Sequence, residues 1–138
     1  MYEKEPAKSY RYNDPQDADL GKILDPRHTA LLMIDMQNDF CDKEGKFAQA
    51  GRDASDVIRI VPRCKELLES ARSANVMVVH IQQSTLPGQQ SDNGGWLAFK
   101  TRDGKAPTYA TVNTWGWEHI DALKPHNDGE DGRYFEPV

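Results

Sequence analysis

Three kinds of side chain in this sequence stand where chemistry could be done: a carboxylate, a pair of amides and two thiols. Asp35 directly follows the uninterrupted apolar run Ala30-Leu31-Leu32-Met33-Ile34. A carboxylate at the end of such a run costs free energy unless it is paired or hydrogen-bonded. Asp35 is therefore either a base or orienting charge, or an aspartate that caps the loop after it. A second apolar run, Val76 to Ile81, leads into Gln82 and Gln83. A carboxamide offers a donor and an acceptor together, which suits a ligand presenting both; the plain alternative is a loop glutamine facing water. Cys41 lies a short way beyond Asp35, and Cys64 falls within a periodic apolar pattern. A thiol becomes a nucleophile where a cation or a helix N-terminus lowers its pKa. No helix N-terminus or cationic partner is in view for Cys41, and Cys64, on the apolar stripe, reads as a buried, inert thiol. His28, His80, His119 and His126 are scattered without metal-ligand spacing.

The elements that must position these residues follow from periodicity. The stretch from Ala30 to Phe40 reads as a buried parallel strand carrying Asp35, and its lack of alternation predicts cover on both faces. Val57, Ile60, Val61, Cys64, Leu67, Leu68 and Ala71 recur at three- and four-residue steps, which predicts a surface helix over 55–74. Ser55 or Asp53 is placed to cap it. Pro62 inside the pattern leaves open a separate first turn or a start near the proline. Asn75 is placed to end the helix in a left-handed conformation. Val76 to Ile81 is the second strand. The three elements make one βαβ unit, and ligands collect beyond the carboxyl ends of such strands. Asp35, Gln82 and Gln83 are thus expected to border one pocket.

Residues 84–114 are rich in Gly and Pro and read as a long functional loop or lid. Trp115 to Leu123 reads as a short helix with Trp117, Ile120 and Leu123 on one side. Phe40 and Trp96 are candidate apolar walls of the pocket, with ordinary packing as the alternative. Lys100 and Arg102 are placed to attract an anion, or form a solvated pair. Residues 1–28, punctuated by Pro6, Pro15 and Pro26, read as an extended arm over this domain or a neighbouring subunit, or as a loosely ordered terminus.

A chain of 138 residues holds one domain. The formal charge of -5 argues against nucleic acid or an anionic membrane as partner. No run approaches the ~18 apolar residues of a membrane span, and the N-terminus carries no apolar signal region. Two cysteines make no disulfide framework, which suggests a reducing, cytoplasmic compartment. One βαβ unit has two open sheet edges and is not a finished domain. The expectation is that 29–138 form the N-terminal portion of a single domain that continues past Val138.

The run Thr29-Ala30-Leu31-Leu32-Met33-Ile34-Asp35-Met36-Gln37-Asn38-Asp39-Phe40 resembles the opening signature of the isochorismatase-like cysteine hydrolases. The resemblance continues through Val76 to Gln83 and into Thr114-Trp115-Gly116-Trp117-Glu118, covering roughly residues 29–123. Within it, Trp96 to Gly104 looks most like the ureide-cleaving members. The resemblance implies an α/β fold, a Rossmann-like three-layer sandwich around a parallel sheet, incomplete in this chain. It also implies an aspartate–lysine–cysteine triad in which Asp35 matches the aspartate, the general base. The cysteine attacks an amide or ureide carbonyl to give a thioester that water cleaves. The family's lysine and cysteine both fall beyond the Trp-Gly-Trp-like segment, and no residue before Val138 matches them; Lys124, in a Lys-Pro turn, does not. Gln83 matches the place of a substrate-binding amide. Gln82 to Gly88 lacks the metal-binding segment of the nicotinamidases, so no metal and no cofactor are implied.

The implied activity is cleavage of a C–N bond in a small ureide or amide such as biuret, triuret, ureidoacrylate or a carbamoyl compound, by a homo-oligomeric enzyme. Two alternatives stand beside it. One is hydrolysis of the vinyl ether of isochorismate. The other is a catalytically inactive binding or assembly subunit.

Overall fold

A computed structural model describes residues 19–102, 104 and 108–126. Most of the expected N-terminal arm lies outside the described residues. Its described end is not extended throughout, since Leu20–Ile23 forms a helical turn, α1, capped by the Asp19 side chain.

Two parallel strands follow, β1 (Ala30–Ile34) and β2 (Met77–Ile81), paired from Ala30↔Met77 to Ile34↔Ile81. The first strand does not reach Phe40. Asp35 adopts φ 55°, a left-handed conformation that turns an L-residue chain out of a strand. Gln37 then leads into α2 (Asn38–Cys41), and Gly45 into α3 (Lys46–Gln49). A methyl group on Gly45 would overlap the carbonyl oxygens of Asn38 and Asp39, so the chain after α2 folds back closely only with glycine there.

The long helix is α4 (Ser55–Ser73), 19 residues unbroken through Pro62. The proline removes one intrahelical bond, to the carbonyl of Ile58. Both residues lie on the exposed side of α4, away from the packed stripe. Ala54 occupies the cap position, not Ser55; Asp53 contributes by accepting the Ser55 N–H at 2.9 Å. Asn75 ends the helix at φ 55°, as its side chain type allows.

Val61, Leu68 and Ala71 of α4 pack against Met33, Val78, Cys41 and Leu123. Leu68 and Leu123 are fully buried, and burial of each contributes roughly 1.5–3 kcal/mol. This core covers one face of the sheet. On the other, Leu32 (50%), Ile34 (53%) and Met77 (61%) remain exposed. The expected cover on both faces is therefore not met within the described residues, because α4 is the one long helix among them and it lies on one side.

Two further expectations are corrected. The supposed loop 84–114 contains a helix, α5 (Gly94–Lys100), whose N-cap Asn93 accepts the Trp96 N–H at 2.9 Å. Asn93 was a legible start signal, but Gly94 and Gly95 lower the helix propensity of the first turn. The supposed helix 115–123 is two short 3-10 turns, Trp115–Trp117 and Asp121–Leu123. Between them the chain runs extended beside the Met36–Asn38 segment: Asn38 N donates to Glu118 O at 2.9 Å and Ile120 N to Met36 O at 3.0 Å. Those backbone bonds, which a helix would forgo, decide the local structure.

Candidate functional site

The carboxyl end of the sheet is prolonged past its last paired residues. Asp35 N donates to Ile81 O at 2.9 Å, fixing Asp35 at the edge where β2 ends. Asp35 is half-buried. Among the described residues its carboxylate makes no hydrogen bond or ion pair.

One step further, the side chain of Gln37 takes over the role of a strand. It is fully buried. Its Oε1 accepts the Gln83 N–H at 2.8 Å, and its Nε2 donates to Gln83 O at 2.9 Å and to Trp117 O at 2.6 Å. An amide side chain can pair with a backbone in both senses because it carries donor and acceptor together. Gln82 Nε2 also donates to Trp117 O, at 2.9 Å. The backbone of Gln83 is thereby held, while Gln83 itself remains exposed.

Asn38 Nδ2 donates to Trp115 O at 2.8 Å. Asp39, 2% exposed, accepts the Ala110 N–H on Oδ2 at 2.7 Å and the Lys46 N–H on Oδ1 at 3.2 Å. The Lys46 ammonium stands 3.9 Å from the same carboxylate and donates to Thr108 O at 3.0 Å. A methyl group on Gly116 would overlap the Asp39 carboxylate. Ala110 sits at φ 49°, a left-handed conformation that costs an alanine roughly 1 kcal/mol or more and is held here by its bond to Asp39. Sequence reasoning missed Gln37, Asn38 and Asp39 as a group. The available signal was three adjacent polar residues directly before the apolar Phe40 and Cys41.

A cleft of ≈ 360 Å³ opens beside this turn, with Gln83, Ser84, Thr85, Trp96 and Tyr109 in its wall. Of the residues nominated from the sequence, Gln83, Trp96, Lys100 and Arg102 border it directly, and Gln82, expected beside Gln83, does not. Phe40 stands behind the wall, its ring 5.8 Å from that of Tyr109. Asp35 is not among the lining residues. Trp96 stacks on Phe99 at 5.5 Å between centroids. Lys100 and Arg102 are not a solvated pair. Lys100 is buried in an ion pair with Asp92, and the Arg102 guanidinium lies 4.0 Å over the Phe99 ring.

Cys41 is 2% exposed. Burial, then the neighbouring Cys64 and Asp35, pushes its thiol up to about 11. It is protonated at neutral pH, the reverse of an activated nucleophile. His80 and His119 meet edge to face at 5.2 Å. Burial, followed by the charges of His80 and Lys124, lowers His119 to about 4. Among the described residues no three His, Cys, Asp or Glu side chains converge as a metal site, and no described helix is long and apolar enough to cross a membrane.

The profile of the isochorismatase family, described as the isochorismatase domain, matches residues 29–131. The chain belongs to this family, and the parallel βαβ unit is part of its α/β fold. Its relatives include the ureidoacrylate amidohydrolase RutB of Caulobacter segnis, 32% identical over 112 residues that make up 74% of this chain and 47% of that protein. The RutB of Agrobacterium fabrum is 36% identical over 112 residues, 74% of this chain and 49% of its own. The chain thus spans about half the length of the curated relatives it matches. Among solved structures, the zinc complex of a pyrazinamidase from Pyrococcus horikoshii aligns with a TM-score of 0.49 at 22% identity, over 72% of this chain and 48% of that one.

Proposed function

We propose that the protein containing these residues is an amidohydrolase cleaving a C–N bond of a small ureide or amide through a cysteine thioester. Asp35 is the general base that takes the thiol proton, and the lysine and nucleophilic cysteine of the triad lie outside these 138 residues. Gln83, Trp96 and Phe40 bind the substrate, Gln83 through its amide and the two aromatic residues as apolar walls. The observation that carries this reading is Asp35 itself. It is tethered to the end of β2 by the bond to Ile81 O, yet its carboxylate is left without a partner among the described residues, in a chain whose relatives include ureidoacrylate amidohydrolases.

The protonated, buried Cys41 supports a nucleophile elsewhere. The same reading has the enzyme working in the cytoplasm as a homo-oligomer, on a small molecule and without metal or cofactor. Domain 29–138 is then the N-terminal portion of one hydrolase domain.

The test is ammonia release by the full-length protein from a panel of ureides, with and without a chelator, beside an Asp35→Asn variant. Turnover of at least one ureide, unaffected by the chelator and lost in the variant, is the expected result. No turnover of any ureide, or full activity without Asp35, overturns the proposal.

A further inference from the structure

Tyr109 stands in the wall of the cleft with Gln83, Ser84 and Thr85, and the backbone is fastened on both sides of it. Ahead of it, Thr108 O accepts a bond from the Lys46 ammonium at 3.0 Å. Behind it, Ala110 N donates to the buried Asp39 carboxylate at 2.7 Å, and Ala110 O accepts the Thr85 N–H at 3.0 Å. Val112 N donates to Thr85 O at 3.1 Å and completes the strap. The rings of Phe40 and Phe47 tilt against the tyrosine ring, their centroids 5.8 and 6.3 Å away. A side chain held by its backbone and by packing has little freedom left. Its hydroxyl nevertheless makes no hydrogen bond among the described residues, although polar groups drawn into a folded protein ordinarily find a partner. Thr85 shares this condition. It is 7% exposed, and its hydroxyl too is without a partner among the described residues.

We propose that Tyr109 is a specificity-determining residue, whose hydroxyl donates a hydrogen bond to a substrate carbonyl that lies beyond the bond being cleaved. The inference rests on the ureide reading above and deepens it, adding a contact at the end of the substrate that does not react. Which end this is follows from position. Asp35, the base, does not border the cleft, so the reacting carbon sits outside it and the cleft takes the remainder of the molecule. Where that remainder is a second carbamoyl group, its carbonyl oxygen is the acceptor on offer. The phenol is the better donor of the two hydroxyls, because its ring draws density from the oxygen, and the Gln83 and Thr85 side chains can accept the N–H groups. Trp96 and Phe99, stacked on each other in the same cleft, give a flat ureide an apolar face to lie on. A donor fixed before the substrate arrives costs no ordering on binding. An alkyl group in place of the carbonyl would leave the hydroxyl unpaired, so the contact rejects as well as attracts.

The experiment compares biuret with N-ethylurea, in which an ethyl group replaces the second carbamoyl group and the first is kept. Binding of each to the full-length protein is measured by calorimetry, for the wild type and for Tyr109→Phe, which keeps the ring and its packing and removes one oxygen. The wild type should bind biuret about tenfold more tightly than N-ethylurea, the worth of one well-made hydrogen bond. Tyr109→Phe should weaken biuret by about tenfold and leave N-ethylurea unchanged. Among ureides with a second carbonyl that the protein turns over, the loss in Tyr109→Phe should fall on KM with kcat retained, because the contact is the same in the ground and transition states. No binding of biuret by the wild type, equal affinity for the two ligands, a variant that binds biuret as the wild type does, or a variant that weakens both ligands alike overturns the inference. Because binding needs no turnover, the two proposals fail separately. A tyrosine-dependent preference for biuret without hydrolysis of any ureide defeats the hydrolase reading, whereas ureide hydrolysis that is unchanged in Tyr109→Phe defeats the role of Tyr109.

Discussion

Asp35 and Asp39 stand close together in the turn that follows β1, and the protein uses their carboxylates in opposite ways. Asp39 is buried and holds the N–H groups of Ala110 and Lys46, beside the Lys46 ammonium and against Gly116, where there is room for no side chain. Asp35 is half-buried, and its backbone is tied to Ile81 while its carboxylate is bound to nothing among the described residues. A buried charge is tolerated when hydrogen bonds to it are complete, each worth about 1.5–3 kcal/mol. Asp39 meets that condition and organises three stretches of chain. Asp35 does not, and a carboxylate left open at the carboxyl end of a parallel sheet is where chemistry is expected. A run of polar residues after a strand can thus divide into members that build the turn and one whose carboxylate stays open.

The sharpest way to break this contrast is to remove each carboxylate in turn. Asp35→Asn should lower the ureide turnover of the full-length protein on the order of 10²–10⁴-fold. Its stability should change by less than about 0.5 kcal/mol, because asparagine also tolerates the left-handed conformation of Asp35. Asp39→Ala should show the reverse, a loss of about 3–5 kcal/mol in denaturant unfolding, with Gly116→Ala costing about 1–3 kcal/mol through overlap with the same carboxylate. If Asp35→Asn unfolds the protein and Asp39→Ala does not, the division of labour is wrong.

A smaller effect concerns pH. His119 is held neutral, near 4 against an ordinary 6.5, so the unfolded chain takes up its proton first. Stability should be level above pH 6.5 and decline as pH falls from 6.5 towards 4; chemical denaturation across that window, compared with His119→Gln, measures it. The smallest is the reactivity of Cys41. With its thiol near 11, alkylation of native protein at pH about 8 should leave Cys41 unlabelled while denatured protein reacts, read by peptide mass.

Much of the frame was legible in the sequence. The two strands, the helix between them and the stop at Asn75 each rest on a local signal: an apolar run, a three-to-four-residue period, a residue that accepts positive φ; the end of the first strand, expected at Phe40, falls at Ile34. What escaped is non-local. Nothing near Gln37 announces that its amide will pair with a backbone 46 residues away, nor does Asp39 announce Ala110, 71 residues on. The helix Gly94–Lys100 was hidden for a different reason, two glycines in its first turn overriding the cap signal of Asn93. The pocket followed the same division. Gln83 was expected at a pocket from its position after the second strand, but Asp35 and Gln82, expected there with it, are not in the wall of this cleft, and Arg52 joins it from a distant stretch of chain that no spacing connects to Gln83.

The amide of Gln37 has one more consequence. Ala-Leu-Leu-Met-Ile and Met-Val-Val-His-Ile are apolar at nearly every position, so alternation between wet and dry faces, which ordinarily forbids two strands from slipping by a residue, is weak here. A shifted pairing would exchange one set of aliphatic side chains for another at little loss. It would also carry Gln37 past Gln83 and break both of their bonds at once. A single side chain beyond the end of the sheet therefore acts as the stop that decides which of several near-equal alignments of β1 and β2 the protein adopts.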